Sequence, residues 1–157
     1  NSTELQLPFA RFKFPRAELL PLRVPPGPLA VALGARLAAY LERTGLEAVG
    51  VASTDLTHYG PGYDFEPKGR GAQAVRWVAE ENDPAFIAAV QSGDPQRVLA
   101  VAHRCRNACS AGAVAALGEL ARRQGLRFQP LGYATSADVK PGDSLNFVGY
   151  LAGVYRE

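Results

Sequence analysis

The sequence contains no methionine, and only two cysteines, two histidines and one tryptophan occur among its 157 residues. Two cysteines are too few for a disulfide framework in a chain of this length, so we expect the reducing environment of the cytoplasm. No apolar run approaches the roughly 20 residues that cross a bilayer, and the N-terminus lacks the basic and apolar segments of a signal peptide. These absences exclude a disulfide-stapled secreted scaffold and argue against a membrane protein.

Neither sign of charge dominates the chain. Lys and Arg number 17 against 15 for Asp and Glu, which gives a formal net charge of +2. The arginines are scattered rather than gathered into a run, so we expect neither nucleic acid nor an anionic membrane as a partner. A content of 47% hydrophobic and 20% charged residues is typical of one globular domain, or of a large part of a two-part domain.

The beginning of the chain resembles the interior of a longer protein. Residues 4–9, ELQLPF, follow no initiating methionine. We therefore expect that an upstream portion is missing, through proteolysis, processing or truncation, and the sequence does not choose among these.

Strand and helix patterns alternate along the chain. Residues 18–24 predict a short strand, which Pro25 and the following Pro-Gly-Pro residues end. A helix should then continue to Thr44 and stop at Gly45, a residue suited to a left-handed cap. Apolar residues recur at spacings of three and four in this helix and predict its core face: Leu29, Ala32, Leu33, Leu37, Tyr40 and Leu41.

The remaining pattern continues this alternation. The apolar run at 48–52 predicts a strand buried on both faces, and a long glycine- and proline-rich loop follows at 59–71. Four further helices are predicted, at 73–81, 84–91, 95–103 and 110–124, and Asp-Pro pairs are expected to cap two of them. Two closing strands are predicted at 126–135 and 146–155, on either side of a turn-rich loop. The pattern predicts a three-layer α/β/α sandwich with a largely parallel sheet.

The first candidate site follows the buried run. Ligands of open parallel sheets bind beyond the carboxyl ends of the strands, where Asp55 and His58 would stand. Because Asp55 and His58 lie three positions apart on a strand-to-loop turn, both side chains can face one cavity. There they could act as a general base whose protonation is tuned by a carboxylate, or as metal ligands. The alternative is that Asp55 caps a turn and His58 is a polar surface residue.

The second candidate site precedes the helix at 110–124. Cys109 occupies a position where the helix dipole and free backbone amides favour thiolate, the form that attacks electrophiles and binds metals. Together with His103 and Cys105 it could instead form a local zinc cluster, although the spacing is not that of a zinc ribbon. A serine hydrolase is disfavoured because no Gly-x-Ser-x-Gly elbow occurs.

Four blocks of the sequence resemble one known family in the right order. Residues 1–9, NSTELQLPF, look like the "HSxExxLPF" segment of the Memo family, and residues 53–59, STDLTHY, look like its "SSDxSHY" segment. Residues 108–112, ACSAG, stand where its "CG" segment would be, and residues 148–150, VGY, resemble its closing "VGYA". The match covers nearly all of this chain but only the C-terminal half of the family.

The resemblance implies a fold and a set of site residues. Memo proteins are similar in fold to the class III, LigB-type extradiol dioxygenases, whose non-haem iron is held by two histidines and a carboxylate. By this resemblance Cys109 is a metal ligand in place of that carboxylate, His58 is the base-like histidine and Asp55 lines the same pocket. The two ligand histidines belong to the upstream half. Residues 1–157 would therefore be the C-terminal part of a single Memo/LigB-like α/β domain.

The function implied is a metal-dependent oxidoreductase related to the extradiol dioxygenases. Fe(II) is the expected metal, with copper or zinc as alternatives because a thiolate is a softer ligand than a carboxylate. The expected partner is the missing N-terminal half as a separate chain, or a second copy in a homo-oligomer, and the substrate is an unidentified small molecule. The alternative is a non-catalytic module that keeps the fold and binds a peptide or small ligand in the cleft.

Overall fold

The computed structural model describes residues 2–139 and 145–157, so the expected turn residues at 140–144 lie outside the described part. Most of the chain is helical. Seven α-helices are present in the described residues: α1 (Ser2–Lys13), α2 (Pro28–Thr44), α3 (Ala72–Trp77), α4 (Asp83–Gln91), α5 (Pro95–Cys105), α6 (Ala111–Arg123) and α7 (Ser136–Val139). A π-helical turn, Val78–Asn82, joins α3 to α4. None of the described helices has the length and apolar character needed to span a membrane.

The predicted helices from α2 to α6 are confirmed. Gly45 adopts the left-handed conformation after α2, at φ 67°, and its amide donates to the carbonyl oxygen of Leu41. The side chain of Asp94 caps α5 by accepting from the amide of Gln96 at 2.9 Å. α1 was not expected from the periodicity. Its apolar side chains are largely in water, and Phe12 is 89% exposed.

The sheet differs from the expected one. β1 (His58–Tyr59) pairs antiparallel with β3 (Phe147–Arg156), and β3 pairs antiparallel with β2 (Arg127–Thr135). The chain is thus an α/β protein, but the strands that the structure describes form a small antiparallel sheet, not the parallel centre of a three-layer sandwich. The connection between β2 and β3 is too short for the crossover of a dozen or more residues that a parallel pair needs.

Two predicted strands are not formed. Residues 18–24 and 46–57 carry no strand assignment, and Val49 and Val51 are 67% and 66% exposed. The prediction of a buried central strand at 48–52 is therefore not confirmed in this chain. A strand is stabilised by hydrogen bonds to neighbouring strands, and no described strand lies beside this run.

The core face of α2 also differs from the prediction. Its buried residues are the small ones, Ala30, Gly34 and Ala38, whereas Leu29 is 84% exposed. A Cβ at Gly34 would lie only 2.2 Å from the carbonyl oxygen of Ala116, so α2 packs with its backbone close to α6. The leucine face of α2 consequently remains half-buried or exposed.

The main core lies between the helices. Leu56, in the loop before β1, packs there among buried side chains of α2, α4, α5 and α6: Ala30, Phe86, Ala89, Val90, Val98, Val101, Ala102, Ala111, Val114 and Ala115. A second cluster surrounds Tyr59, whose ring stacks on Phe147 at a centroid distance of 5.0 Å. Because Leu56 and Tyr59 are anchored in the two clusters, the residues around them are held in register.

The side chain of Asp83 is buried and does not cap α4. Its Oδ1 accepts from the amide of Thr57 at 3.0 Å and from the hydroxyl of Thr57 at 2.5 Å, and its Oδ2 accepts from the phenol of Tyr133 at 2.8 Å. A Cβ at Gly149 would overlap this carboxylate. Burial raises the pKa of Asp83, although the three hydrogen bonds oppose that shift.

The buried carboxylate predicts a pH dependence of stability. Because the pKa of Asp83 is higher in the folded chain than in the unfolded one, the folded state binds more protons between those two values. The free energy of unfolding should therefore fall as the pH rises above about 4 through the folded pKa. Asp83→Asn should lack this decrease, as measured by urea unfolding across the pH range.

A matched control is Asp94→Asn, because asparagine also caps a helix and Asp94 is exposed. This variant should keep the wild-type pH dependence. Asp83→Ala should lose about 3 kcal/mol, since Thr57 and Tyr133 would keep buried donors without an acceptor. Stability curves of wild type and Asp83→Asn that run parallel would contradict the assignment.

Candidate functional site

Asp55, His58 and Cys109 converge at one place on the surface. Nε2 of His58 lies 3.3 Å from Oδ2 of Asp55. One potential ligand atom from each of the three residues lies within 4.8 Å of the others. The structure thus brings together all three residues that were singled out from the sequence, although more than 50 positions separate Cys109 from His58 in the chain.

Two adjacent buried residues position Asp55 and His58. Leu56 and Thr57 between them are buried, whereas the side chains of Asp55 and His58 are 48% and 33% exposed. The backbone here pairs with β3, since the amide of Leu56 donates to Gly149 at 2.9 Å. The two buried residues hold the segment, and the side chains of Asp55 and His58 lie together with Cys109 at the surface.

Reciprocal contacts attach the Cys109 loop to this segment. The amide of Cys109 donates to the carbonyl oxygen of Asp55 at 3.2 Å, and the amide of Asp55 donates to Sγ of Cys109 at 3.3 Å. The hydroxyl oxygen of Thr54 accepts from the amide of Ser110 at 3.0 Å and lies 3.7 Å from the same sulfur. The Thr54 hydroxyl itself donates to the carbonyl oxygen of Asp55 at 2.9 Å, so the Asp55 amide is the clear donor to the sulfur.

Two tyrosines flank the cluster and were not proposed as site residues from the sequence. The ring of Tyr63 stacks on the His58 imidazole, with centroids 4.8 Å apart and an interplanar angle of 29°. Partial burial raises the pKa of Tyr150, with smaller contributions from the charge of Asp55 and from Tyr63. Tyr63 lies in a loop whose fold has no periodic signal, which explains why pattern analysis missed it.

Two buried asparagine side chains connect the segments that carry the candidate site. Nδ2 of Asn82 donates to the Thr57 hydroxyl at 2.8 Å and to the carbonyl oxygen of Cys105 at 3.1 Å. Nδ2 of Asn107 donates to the carbonyl oxygen of Asn82 at 2.6 Å. Asn82 lies in the π-helical turn, which places its side chain between the two site loops. Neither asparagine carries a local sequence signal for this role, because its partners lie more than 20 positions away in the chain.

The local zinc cluster is not formed. Of the residues that the structure describes, only Asp55, His58 and Cys109 form a group that could hold an ion. His103 is exposed and Cys105 is half-buried on α5. α5 ends at Cys105, and the chain turns away before it reaches Cys109.

The donor set has the chemistry of a metal site. In a tetrahedral zinc site, bonds of about 2.0 to 2.3 Å place the donor atoms about 3.3 to 3.8 Å apart. Nε2 of His58 and Oδ2 of Asp55 have this separation at 3.3 Å, and the ligand atoms of all three residues lie within 4.8 Å of one another. One sulfur, one nitrogen and one oxygen suit iron, copper or zinc, and three donors leave further positions open.

Comparison with known proteins identifies relatives over the whole chain. The family model described as Memo-like protein matches residues 1–154. Curated relatives named "MEMO1 family protein" include one from Aeropyrum pernix, 30% identical over 97% of this chain and 50% of its own length. Those from Methanosarcina acetivorans and Methanosarcina mazei are 31% and 33% identical, again over 97% of this chain and 53% of theirs.

This chain therefore spans about half the length of the curated relatives it matches. The resemblance of its four sequence blocks is confirmed by a family match that includes the segments carrying Asp55, His58 and Cys109. The chain belongs to the Memo-like protein family.

Proposed function

We propose that the chain provides one side of a metal-dependent oxidoreductase site, with Cys109 as a ligand and with His58 and Asp55 as a proton-handling pair. The observation that carries this proposal is the convergence of the three donors within 4.8 Å at a partly exposed place on the surface. A purely structural Asp55 and His58 would have no need of a thiol beside them. The family match spans the segments that carry all three residues.

Each residue has a distinct part in this proposal. The Cys109 sulfur binds the metal, and the Asp55 amide at 3.3 Å offsets part of its charge. The His58 imidazole takes up or releases a proton of a bound substrate, and the Asp55 carboxylate, 3.3 Å from Nε2, orients the ring. When bound, Fe(II) would supply redox chemistry with O₂, whereas zinc would supply only Lewis acidity.

The site needs further ligands, and we propose that they come from outside this chain. The family resemblance implies two histidines in the half that precedes the matched segment, and this chain spans only half the length of its relatives. The partner is then that upstream half or a second copy of this chain. Two added imidazoles and the Cys109 sulfur would give three protein ligands and leave a fourth position for water or substrate.

The three-layer sandwich with a parallel sheet is part of the same proposal. Val49 and Val51 share one exposed side of the run, whereas a Cβ at Gly50 would meet Leu117 of α6 at 2.6 Å. This alternation is the pattern of a strand with one face packed on a helix. We propose that the run at 48–52 becomes a central strand when the upstream half adds neighbouring strands.

A non-catalytic binding module is the second candidate. The observation that favours it is the aromatic wall made by His58 and Tyr63, which a peptide or a planar small molecule could contact without any metal. The two candidates differ in their dependence on Cys109. Only the oxidoreductase requires the thiolate as a ligand.

Metal titration tests the proposal directly. The chain alone should bind Fe(II), Cu(II) or Zn(II) weakly, and addition of the upstream half should raise the affinity by at least about a hundredfold, because two imidazoles complete the ligand set. Cys109→Ser should remove most of this gain. Calorimetry of the chain alone and of the reconstituted pair measures both effects.

Cys105→Ser is the matched control, because Cys105 also carries a thiol but lies outside the cluster. It should bind metal like the wild type. Tight binding by the lone chain that depends on Cys105 and His103 would show that the assignment of Cys109 is wrong. Metal-independent binding of a ligand by the pair, with Cys109→Ser unaffected, would support the binding module.

Association should also protect the backbone of the run at 48–52. In the chain alone its amides should exchange rapidly with solvent, because no described strand pairs with them. In the reconstituted pair the amides of Val49, Gly50 and Val51 should become protected, as measured by hydrogen–deuterium exchange. The amides of α5 should change little and serve as an internal reference. A tight complex in which residues 48–52 stay unprotected would contradict the central strand.

A further inference from the structure

We propose that Arg106 is a positioning residue, which sets the orientation of the His58 imidazole through the loop at 60–65. The inference rests on the proposed function insofar as His58 handles the proton. It concerns a residue outside the donor cluster, and it follows from backbone conformation and hydrogen bonds around the cleft.

Arg106 has an unfavourable backbone conformation. Its φ is +51°, and the other non-glycine residue with positive φ in the described part of the chain is Asp64, at +50°. Arg106 follows the last residue of α5, a position where glycine is common because it adopts this conformation without a steric penalty. The two strained residues contact each other, since Nη1 of Arg106 donates to the carbonyl oxygen of Asp64 at 3.1 Å.

The same guanidinium contacts three consecutive residues of the loop. Nη2 lies 3.4 Å from the carbonyl oxygen of Tyr63, and Cζ lies 4.6 Å from the centre of the Phe65 ring. The planar, forked donor of arginine suits two adjacent carbonyl oxygens and an aromatic face together. Strained backbone conformations tend to persist at functional sites. Here the positive φ of Arg106 places its guanidinium over the loop at 60–65.

The loop transmits this contact to the imidazole. Its ends are joined by the amide of Gly60, which donates to the carbonyl oxygen of Phe65 at 2.8 Å. Tyr63 lies inside this closed loop, and its ring stacks on His58 at 4.8 Å. A displacement of the loop would therefore displace the ring that covers one face of the imidazole.

Arg106 joins the two parts of the candidate site. It lies three positions before Cys109, in the connection between α5 and α6, whereas the loop it contacts follows His58 directly. The second outside anchor of the loop is Asn146, whose Oδ1 accepts from the amide of Gly62 at 2.7 Å. Among the hydrogen bonds of the described residues, those of Arg106 connect the loop to the segment that carries the thiol.

Replacement of Arg106 by glycine separates positioning from stability. Arg106→Gly relieves the backbone strain and removes every side-chain contact, so the melting temperature should stay within a few degrees of wild type or rise. The His58 ring should nevertheless lose the upfield ring-current shift that stacking on Tyr63 produces. Proton–nitrogen NMR of the metal-free 157-residue chain measures this shift, and the spectrum of His58→Gln assigns the signals.

Two further variants sharpen the experiment. Arg106→Lys keeps the positive charge but lacks the forked guanidinium that reaches both carbonyl oxygens. The His58 ring should therefore lose much of its ring-current shift in this variant too. Arg104→Ala removes an exposed arginine from the last turn of α5 and should leave the His58 signals unchanged.

The outcomes distinguish this inference from the proposed function. Wild-type His58 signals in Arg106→Gly would overturn the positioning role, whatever the metal affinity. Failure of the wild-type pair to bind metal would overturn the proposed function, while a lost ring-current shift in Arg106→Gly would still support the positioning role. A fall in the melting temperature of Arg106→Gly that greatly exceeds that of Arg104→Ala would assign Arg106 to stability instead.

Discussion

The buried carboxylate of Asp83 is the constraint on which the arrangement of the cleft depends. It accepts from both the amide and the hydroxyl of Thr57, the residue that lies directly before His58. An unpaired buried carboxylate is costly, so the folded chain keeps these donors in place. Since Thr57 cannot turn without breaking two hydrogen bonds, His58 is held facing the cleft. The close approach of Gly149 to the same carboxylate explains why β3 carries a glycine there.

Asn82 extends this constraint to the thiol side of the cleft. Its side chain contacts the hydroxyl of Thr57 and the carbonyl oxygen of Cys105, and its own carbonyl oxygen accepts from Asn107. The neighbouring residues Asn82 and Asp83 thus determine both the segment that carries His58 and the connection that carries Cys109. The exposed donors of the cleft are therefore positioned by buried polar groups, as a preorganised site requires.

Local patterns predicted what local interactions determine. The helices from α2 to α6 were found from their spacing and from Gly45 and Asp94, because caps act within a few residues of the chain. The Asp-Pro pair at Asp83 also predicts a helix cap, but this carboxylate instead accepts from Thr57, which lies 26 positions away in the chain. Asp55, His58 and Cys109 were singled out by their positions beside predicted elements and then by a resemblance in sequence. Tyr63 and Arg106 gave no signal, because a ring stack and a positive φ are properties of the fold.

The sheet shows a different limit of sequence reasoning. Val49 and Val51 have the residue types of a strand, but a strand also needs neighbours, and those described here lie elsewhere. The exposed side chains of Leu29 and Phe12 are further apolar surface without a described partner. If the upstream half covers this surface and also supplies two imidazoles, association and metal binding become linked equilibria. Each would then strengthen the other by the same factor, because the completed ligand set exists only in the assembled state.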